Sequence, residues 1–182
     1  MLLVIFGSSG TGKTSIINKL REQFGWHILK VYTTRQQRCT EIDKMHVERS
    51  EFLSMKKAGR FFAIQKVMNN YYGQLLIEVE EIIEKPNEKW TIDIAYTELK
   101  QFLPLQPHFL MVLPENSNQL RKQLESANKI NRLESALKEY QEVHLPLSQE
   151  GHYGEIYFSK VINYYQRLDE TVAVINEMYQ GL

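Results

Sequence analysis

The first six residues, Met1-Leu2-Leu3-Val4-Ile5-Phe6, are apolar without alternation, the pattern of a strand buried on both faces of a parallel sheet. A Gly/Ser/Thr loop follows, and residues 13–24 then carry Ile16, Ile17 and Leu20 at helical spacing. Residues 27–32 read as a second strand and 33–43 as a polar surface loop. Residues 50–58 predict a short helix opened by Ser50 and stopped by Gly59. Residues 61–68 are strand-like, Asn69-Asn70 predicts a turn before Tyr71-Tyr72-Gly73, and 74–85 has near-helical spacing ended by Pro86. The apolar runs 90–94 and 109–113 predict further core strands, and 118–127 and 130–140 predict charged helices. Residues 160–163 predict a last strand, and 167–179 a closing helix on Leu168, Val172, Ile175 and Tyr179. Strands alternating with helices imply an α/β fold with a central, mainly parallel sheet.

Composition narrows the partners. The 22 basic and 22 acidic residues cancel, so no nucleic-acid or membrane-surface role is favoured. The apolar start is six residues long and has neither a basic leader nor a small-residue cleavage site, too short for a signal peptide or a span. Cys39 is the one cysteine, which excludes an internal disulfide and suits a reducing cytoplasm. The five histidines share no metal-ligand spacing with one another or with carboxylates. The sequence carries no signature of a particular oligomeric state.

Gly7-Ser8-Ser9-Gly10-Thr11-Gly12-Lys13-Thr14 fits G-x-x-x-x-G-K-[ST] at every fixed position. It lies directly between an apolar strand and a helix, as its mechanics require. Glycines let consecutive N–H groups curl inward toward phosphate oxygens, and the helix start that follows, with Ser15, adds its positive end. Lys13 is placed to reach β- and γ-phosphates and Thr14 to offer a hydroxyl to Mg²⁺, so ATP with Mg²⁺ is the expected ligand pair. The structural alternative is a Gly/Ser-rich turn that binds nothing.

Beyond the second strand stand Thr33-Thr34-Arg35-Gln36-Gln37-Arg38 and, later, Asn70-Tyr71-Tyr72-Gly73. A P-loop followed by T-T-R-x-x-R and N-Y-Y-G resembles the guanylate kinase family. Ile92-Asp93-Ile94 is similar to that family's acidic strand end, and Val161-Ile162-Asn163 to its late V-x-N strand, which brings Asn163 in as a donor-site residue. The resemblance implies a P-loop three-layer fold with an acceptor-binding insertion at about 33–73 and a helical lid at about 115–145, the core being 1–32, 74–114 and 158–182. It also implies that Arg35, Arg38 and Tyr72 grip the phosphate of a small phosphorylated acceptor. The chemistry agrees, since two guanidinium forks and a phenol suit a dianionic phosphate; the alternative is two solvated arginines and a core aromatic. Asp93 is a candidate to hold Mg²⁺ through water or to orient the acceptor, with capping of the next helix as the structural alternative. In the lid, Arg132 matches the family's later arginine, and Arg121 is either a substitute or part of a solvated face.

Several base-reading positions depart from the resemblance. The serine before the first arginine is Val31, the glutamate of the strand before N-Y-Y-G is Ala63, the small hydroxyl residue after it is Gln74, and the second acidic strand-end residue is Ala95. A phosphate-binding tyrosine aligns with Lys44, which either compensates as a point charge or is a solvated loop lysine. Each lost contact to a buried guanine edge costs on the order of 1.5–3 kcal/mol, so a weakened preference for GMP is expected. The implied activity is ATP-dependent phosphoryl transfer of the nucleoside monophosphate kinase type. The alternatives are a ribose 1,5-bisphosphate phosphokinase-like phosphosugar kinase and a catalytically weak nucleotide-binding interaction module.

Overall fold

Leu2–Phe6 forms β1, the middle strand of a five-stranded sheet. The computed structural model describes residues 1–36, 42–67 and 69–181. After β1 come α1 (Lys13–Phe24), β2 (His27–Ile28), β3 (Val31–Thr33), β4 (Lys44–His46), α2 (Arg49–Lys57), β5 (Phe61–Val67), β6 (Asn70–Leu75) and α3 (Leu76–Glu84). Then follow β7 (Trp90–Asp93), a 3₁₀ segment Tyr96–Leu105, β8 (His108–Pro114), α4 (Ser117–Ser126), a 3₁₀ turn Ile130–Arg132 and α5 (Leu133–Glu139). A π-turn, Tyr140–His144, leads into α6 (Leu145–Glu150), the hairpin β9 (His152–Tyr153) and β10 (Ile156–Tyr157), β11 (Ser159–Asn163) and α7 (Leu168–Met178).

The main sheet has the order β11-β8-β1-β7-β2, and every pairing in it is parallel. Its centre is buried on both faces, which is why β1 needs no polar positions. Leu2, Val4 and Phe6 enter one apolar cluster, with Leu99, Phe102, Leu120 and Leu124. Leu3 and Ile5 enter the other, covered by Ile16, Ile17 and Leu20 of α1 and by Val172 and Ile175 of α7. Each such side chain contributes about 1.5–3 kcal/mol on burial, so a polar substitution in β1 would be felt on either face. Among the described residues no helix is long and apolar enough to cross a membrane.

A second, four-stranded sheet has the order β4-β3-β6-β5. It corrects the single strand expected at 27–32. β2 pairs with β7 in the main sheet, whereas β3 pairs with β4 and β6 in the second. The changeover is marked by Leu29 N–H donating to Thr91 and Val31 N–H donating to Asp43. Residues 31–33 and 44–46, within or beside the expected loop, are strand because they have these neighbours. The helix expected from residue 74 begins at Leu76, since Gln74 and Leu75 still belong to β6, where Gln74 pairs with Ala63 and Leu75 with Phe61. The expected Ser50 cap is also corrected: α2 starts at Arg49 behind Glu48, and no side chain caps it.

Candidate active site

The phosphate-binding loop is built at the C-terminal edge of the main sheet, where open α/β folds bind ligands. Gly7 has φ 144°, and a Cβ there would stand 2.3 Å from the Val112 carbonyl oxygen. Gly12, the residue before α1, has φ 88°, and a Cβ would stand 2.4 Å from Asn163 Nδ2. Both glycines are therefore required by fit as well as by dihedral angle. Lys13 folds back over the loop, its Nζ donating to the Gly7 and Ser8 carbonyls at 2.7 and 3.0 Å. The same ammonium lies 3.9 Å from Asp93 Oδ1 at the end of β7. Thr11 is fully buried, and its hydroxyl donates to the Ser8 carbonyl at 3.0 Å.

The second sheet brings distant motifs together. β3 and β6 set Thr33 opposite Tyr72. Thr33 Oγ1 accepts the Arg35 N–H at 3.1 Å, and Thr34 Oγ1 accepts the Tyr71 N–H at 3.0 Å and lies 3.3 Å from Asn70 Oδ1. The two threonines thus fix where the Arg35 backbone leaves the sheet and tie it to Asn70-Tyr71-Tyr72-Gly73. Lys44 is paired at 2.6 Å with Asp43, whose side chain is 3% exposed.

These walls enclose a cleft of about 740 Å³. Ser9, Gly10, Gly12, Lys13, Thr14 and Ser15 of the loop and α1 line it together with Arg35, Lys44 and Tyr72 of the second-sheet region. Asp93, Asn163 and Arg132 also face it. Gly7, Ser8 and Thr11 do not line it, and Ser8 and Thr11 are buried. Asn163 is 4% exposed, and its Nδ2 donates to the Thr11 carbonyl at 2.8 Å, so its amide braces the loop. Arg38 lies outside the described residues. Arg121 is exposed on α4. The Thr14 hydroxyl and Asp93 carboxylate sharing this cleft form an oxygen donor set that fits Mg²⁺, which is held by few protein oxygens together with substrate phosphates.

Two groups at the loop, Glu139 and His144, are absent from the sequence-derived site. Ser8 is 1% exposed, and its Oγ lies 2.9 Å from Nδ1 of His144, itself 1% exposed. Glu139, next to the π-turn, accepts a hydrogen bond from the Ser9 backbone N–H; burial raises its pKa, against the nearby Lys13 charge, which lowers it. Burial, then the Lys13 charge, push the His144 imidazole down to about 4. No spacing in the sequence links positions 139 and 144 to a loop more than 120 residues earlier; the local signal is confined to Glu139, on the charged helix expected at 130–140. Lys129 also lines the cleft, adding a cation beside Arg132.

A Walker-type loop at the edge of a parallel sheet, sharing a cleft with basic side chains from other elements, is the architecture of a P-loop phosphotransferase. The family model for guanylate kinase matches residues 1–181. A guanylate kinase of Mycoplasmoides gallisepticum is 28% identical over 191 residues, covering 98% of this chain and 91% of the relative. One of Vibrio cholerae is 30% identical over 131 residues, covering 68% of this chain and 63% of that protein. The crystal structure of guanylate kinase from Anaplasma phagocytophilum superposes with a TM-score of 0.69 at 21% identity, covering 99% of this chain and 84% of the other, a likeness of fold. The chain belongs to the guanylate kinase family, and with it to the nucleoside monophosphate kinases.

Proposed function

We propose that this chain transfers the γ-phosphoryl group of ATP to a small phosphorylated acceptor, and that GMP is not its preferred acceptor. The observation that carries the reading is the shared cleft, lined by Lys13 and Thr14, by Arg35, Lys44 and Tyr72, and by Arg132. Phosphoryl transfer needs little covalent chemistry from a protein and much positioning and charge, which is what these residue types supply.

In this reading the loop amides and Lys13 hold the donor phosphates, and Asn163 keeps the loop in shape. Arg35 and Tyr72, with Arg38, hold the acceptor phosphate so that one of its oxygens faces the γ-phosphorus. The bond from that oxygen to phosphorus forms as the β–γ bridging bond breaks, and ADP leaves. Arg132 sits where it can stabilise the charge on the transferring group. Lys44 offers an ammonium donor on the acceptor side, its charge offset by Asp43 at 2.6 Å. Thr14 and Asp93 would hold Mg²⁺, which when bound neutralises charge on the phosphates. Residues of about 33–73 act as the acceptor-binding unit and about 115–145 as the lid, within a reducing cytoplasm.

Acceptor choice follows from what lines the base-reading positions. Val31 and Ala63 are 2% and 6% exposed and belong to the apolar core. They offer no hydrogen-bond partner to a guanine edge, and the loss of such partners weakens discrimination by orders of magnitude. The same feature favours a second reading, a phosphopentose acceptor. The test is ADP release with GMP, AMP, UMP, CMP and pentose phosphates. We expect GMP not to be preferred; a kcat/KM for GMP about a hundredfold above every other acceptor overturns the acceptor assignment. ATP binding with no acceptor-dependent ADP release overturns the kinase reading as a whole.

A further inference from the structure

A fully buried polar contact at the phosphate-binding loop comes from a side chain outside the loop with no place in the transfer chemistry. His144 Nδ1 lies 2.9 Å from Ser8 Oγ, and both residues are 1% exposed. Its other nitrogen, Nε2, is buried without a hydrogen-bond partner among the described residues. Around it are rings, Phe6 at 6.5 Å and Tyr96 edge-on at 5.5 Å. An orphaned buried N–H is rarer than an under-used acceptor, so the proton belongs on Nδ1. There it donates to Ser8 Oγ and also faces Glu139 Oε1 at 3.9 Å.

The π-turn makes this possible. On an α-helix, residues five apart stand about 140° from each other around the axis. A turn closed by i→i+5 bonds brings them back to one side, and here Glu139 and His144 both reach the loop. Glu139 takes the Ser9 N–H while His144 takes the Ser8 side chain. Ser8 is also the loop's internal hub, its carbonyl accepting from the Thr11 hydroxyl and from Lys13 at 3.0 Å each. A shift of Ser8 would therefore move the lysine and the first inward-pointing amides together.

We propose that His144 is a positioning residue for the triphosphate site, fixing the Ser8–Ser9 peptide and coupling the loop to the helix that follows Arg132. The proposal rests on the loop being the ATP site. Its test uses the full chain with Ser8→Ala, His144→Leu, the double variant and His144→Asn, whose amide can stand near the Nδ1 position. Steady-state KM values for ATP and for the acceptor are measured alongside calorimetric ATP titration. Ser8→Ala and His144→Leu should each raise the KM for ATP about tenfold, the scale of one buried hydrogen bond, with the acceptor KM changed less than about twofold. The double variant should be no worse than either single one, because the pair acts as a unit. His144→Asn should return the ATP KM to within about threefold of the parent.

Additive effects, an equal rise in the acceptor KM, or a Ser8→Ala protein with the parental ATP KM overturn the proposal, the last even where His144→Leu fails to fold. A parent chain that takes up no ATP overturns the donor-site reading instead. That result is distinct from parental uptake with indifferent variants, which removes only the role given to His144.

Discussion

The buried imidazole of His144 gives the loop a dependence on pH whose sign can be worked out. Unfolded, it titrates near 6.5; folded, burial and then the Lys13 charge hold it at about 4. Between those values the unfolded chain binds a proton that the native chain refuses, so stability present above pH 6.5 is lost as pH falls toward 4. The shift corresponds to about 3 kcal/mol across that window. Glu139 works in the opposite sense, since burial raises its pKa and the native state takes up its proton more readily as pH falls. The two are separated by urea unfolding at pH 7 and pH 4.5 on the parent and on His144→Asn. The variant should lack the histidine's share of the slope while keeping that of Glu139; equal slopes would refute the assignment.

Among the elements, the loop between β1 and α1 is the least tolerant of change. Gly7→Ala would set a methyl group 2.3 Å from a backbone oxygen of β8, and backbone cannot step aside as a side-chain tip can. Combined strain and overpacking predict a loss of roughly 3 kcal/mol or more. Gly59 makes the contrast. It has φ 67° after α2, and a methyl group added there would meet nothing within 4 Å. Gly59→Ala should cost only the left-handed backbone penalty, about 1–2 kcal/mol. Denaturant midpoints of the two variants check the order, and a larger loss at Gly59 would contradict it.

Over the whole molecule, residues from separate parts of the chain line one cleft, on which the proposed function depends. Arg132 reaches it from the 3₁₀ turn before α5, whereas Arg121 is exposed on α4 and does not line it. Arg132→Ala should therefore lower kcat about a thousandfold while leaving the unfolding midpoint near the parental value. Arg121→Ala should change kcat less than about threefold. A steady-state comparison of the two decides whether Arg132 serves transfer, because similar modest effects would leave it a surface residue.

The linear sequence determined what depends on near neighbours. An uninterrupted apolar hexapeptide that ends at a glycine-rich loop is too short for a helix and fits a strand covered on both faces, and Gly7 to Thr14 carries the dihedral freedom, lysine and hydroxyl of its ligand chemistry within eight residues. The helical stripe of Ile16, Ile17 and Leu20, and the later one of Val172, Ile175 and Tyr179, were legible for the same reason. Tertiary structure alone decided that residues 27–33 divide between two sheets, because strand propensity does not name the partner strand. It alone set Gln74 and Leu75 in a strand despite their helical spacing, and swung Glu139 and His144 to one side of a π-turn against a loop far back in the chain. Local conformational preferences act over a few residues and are written in order; contacts between distant segments exist only once the chain has closed on itself.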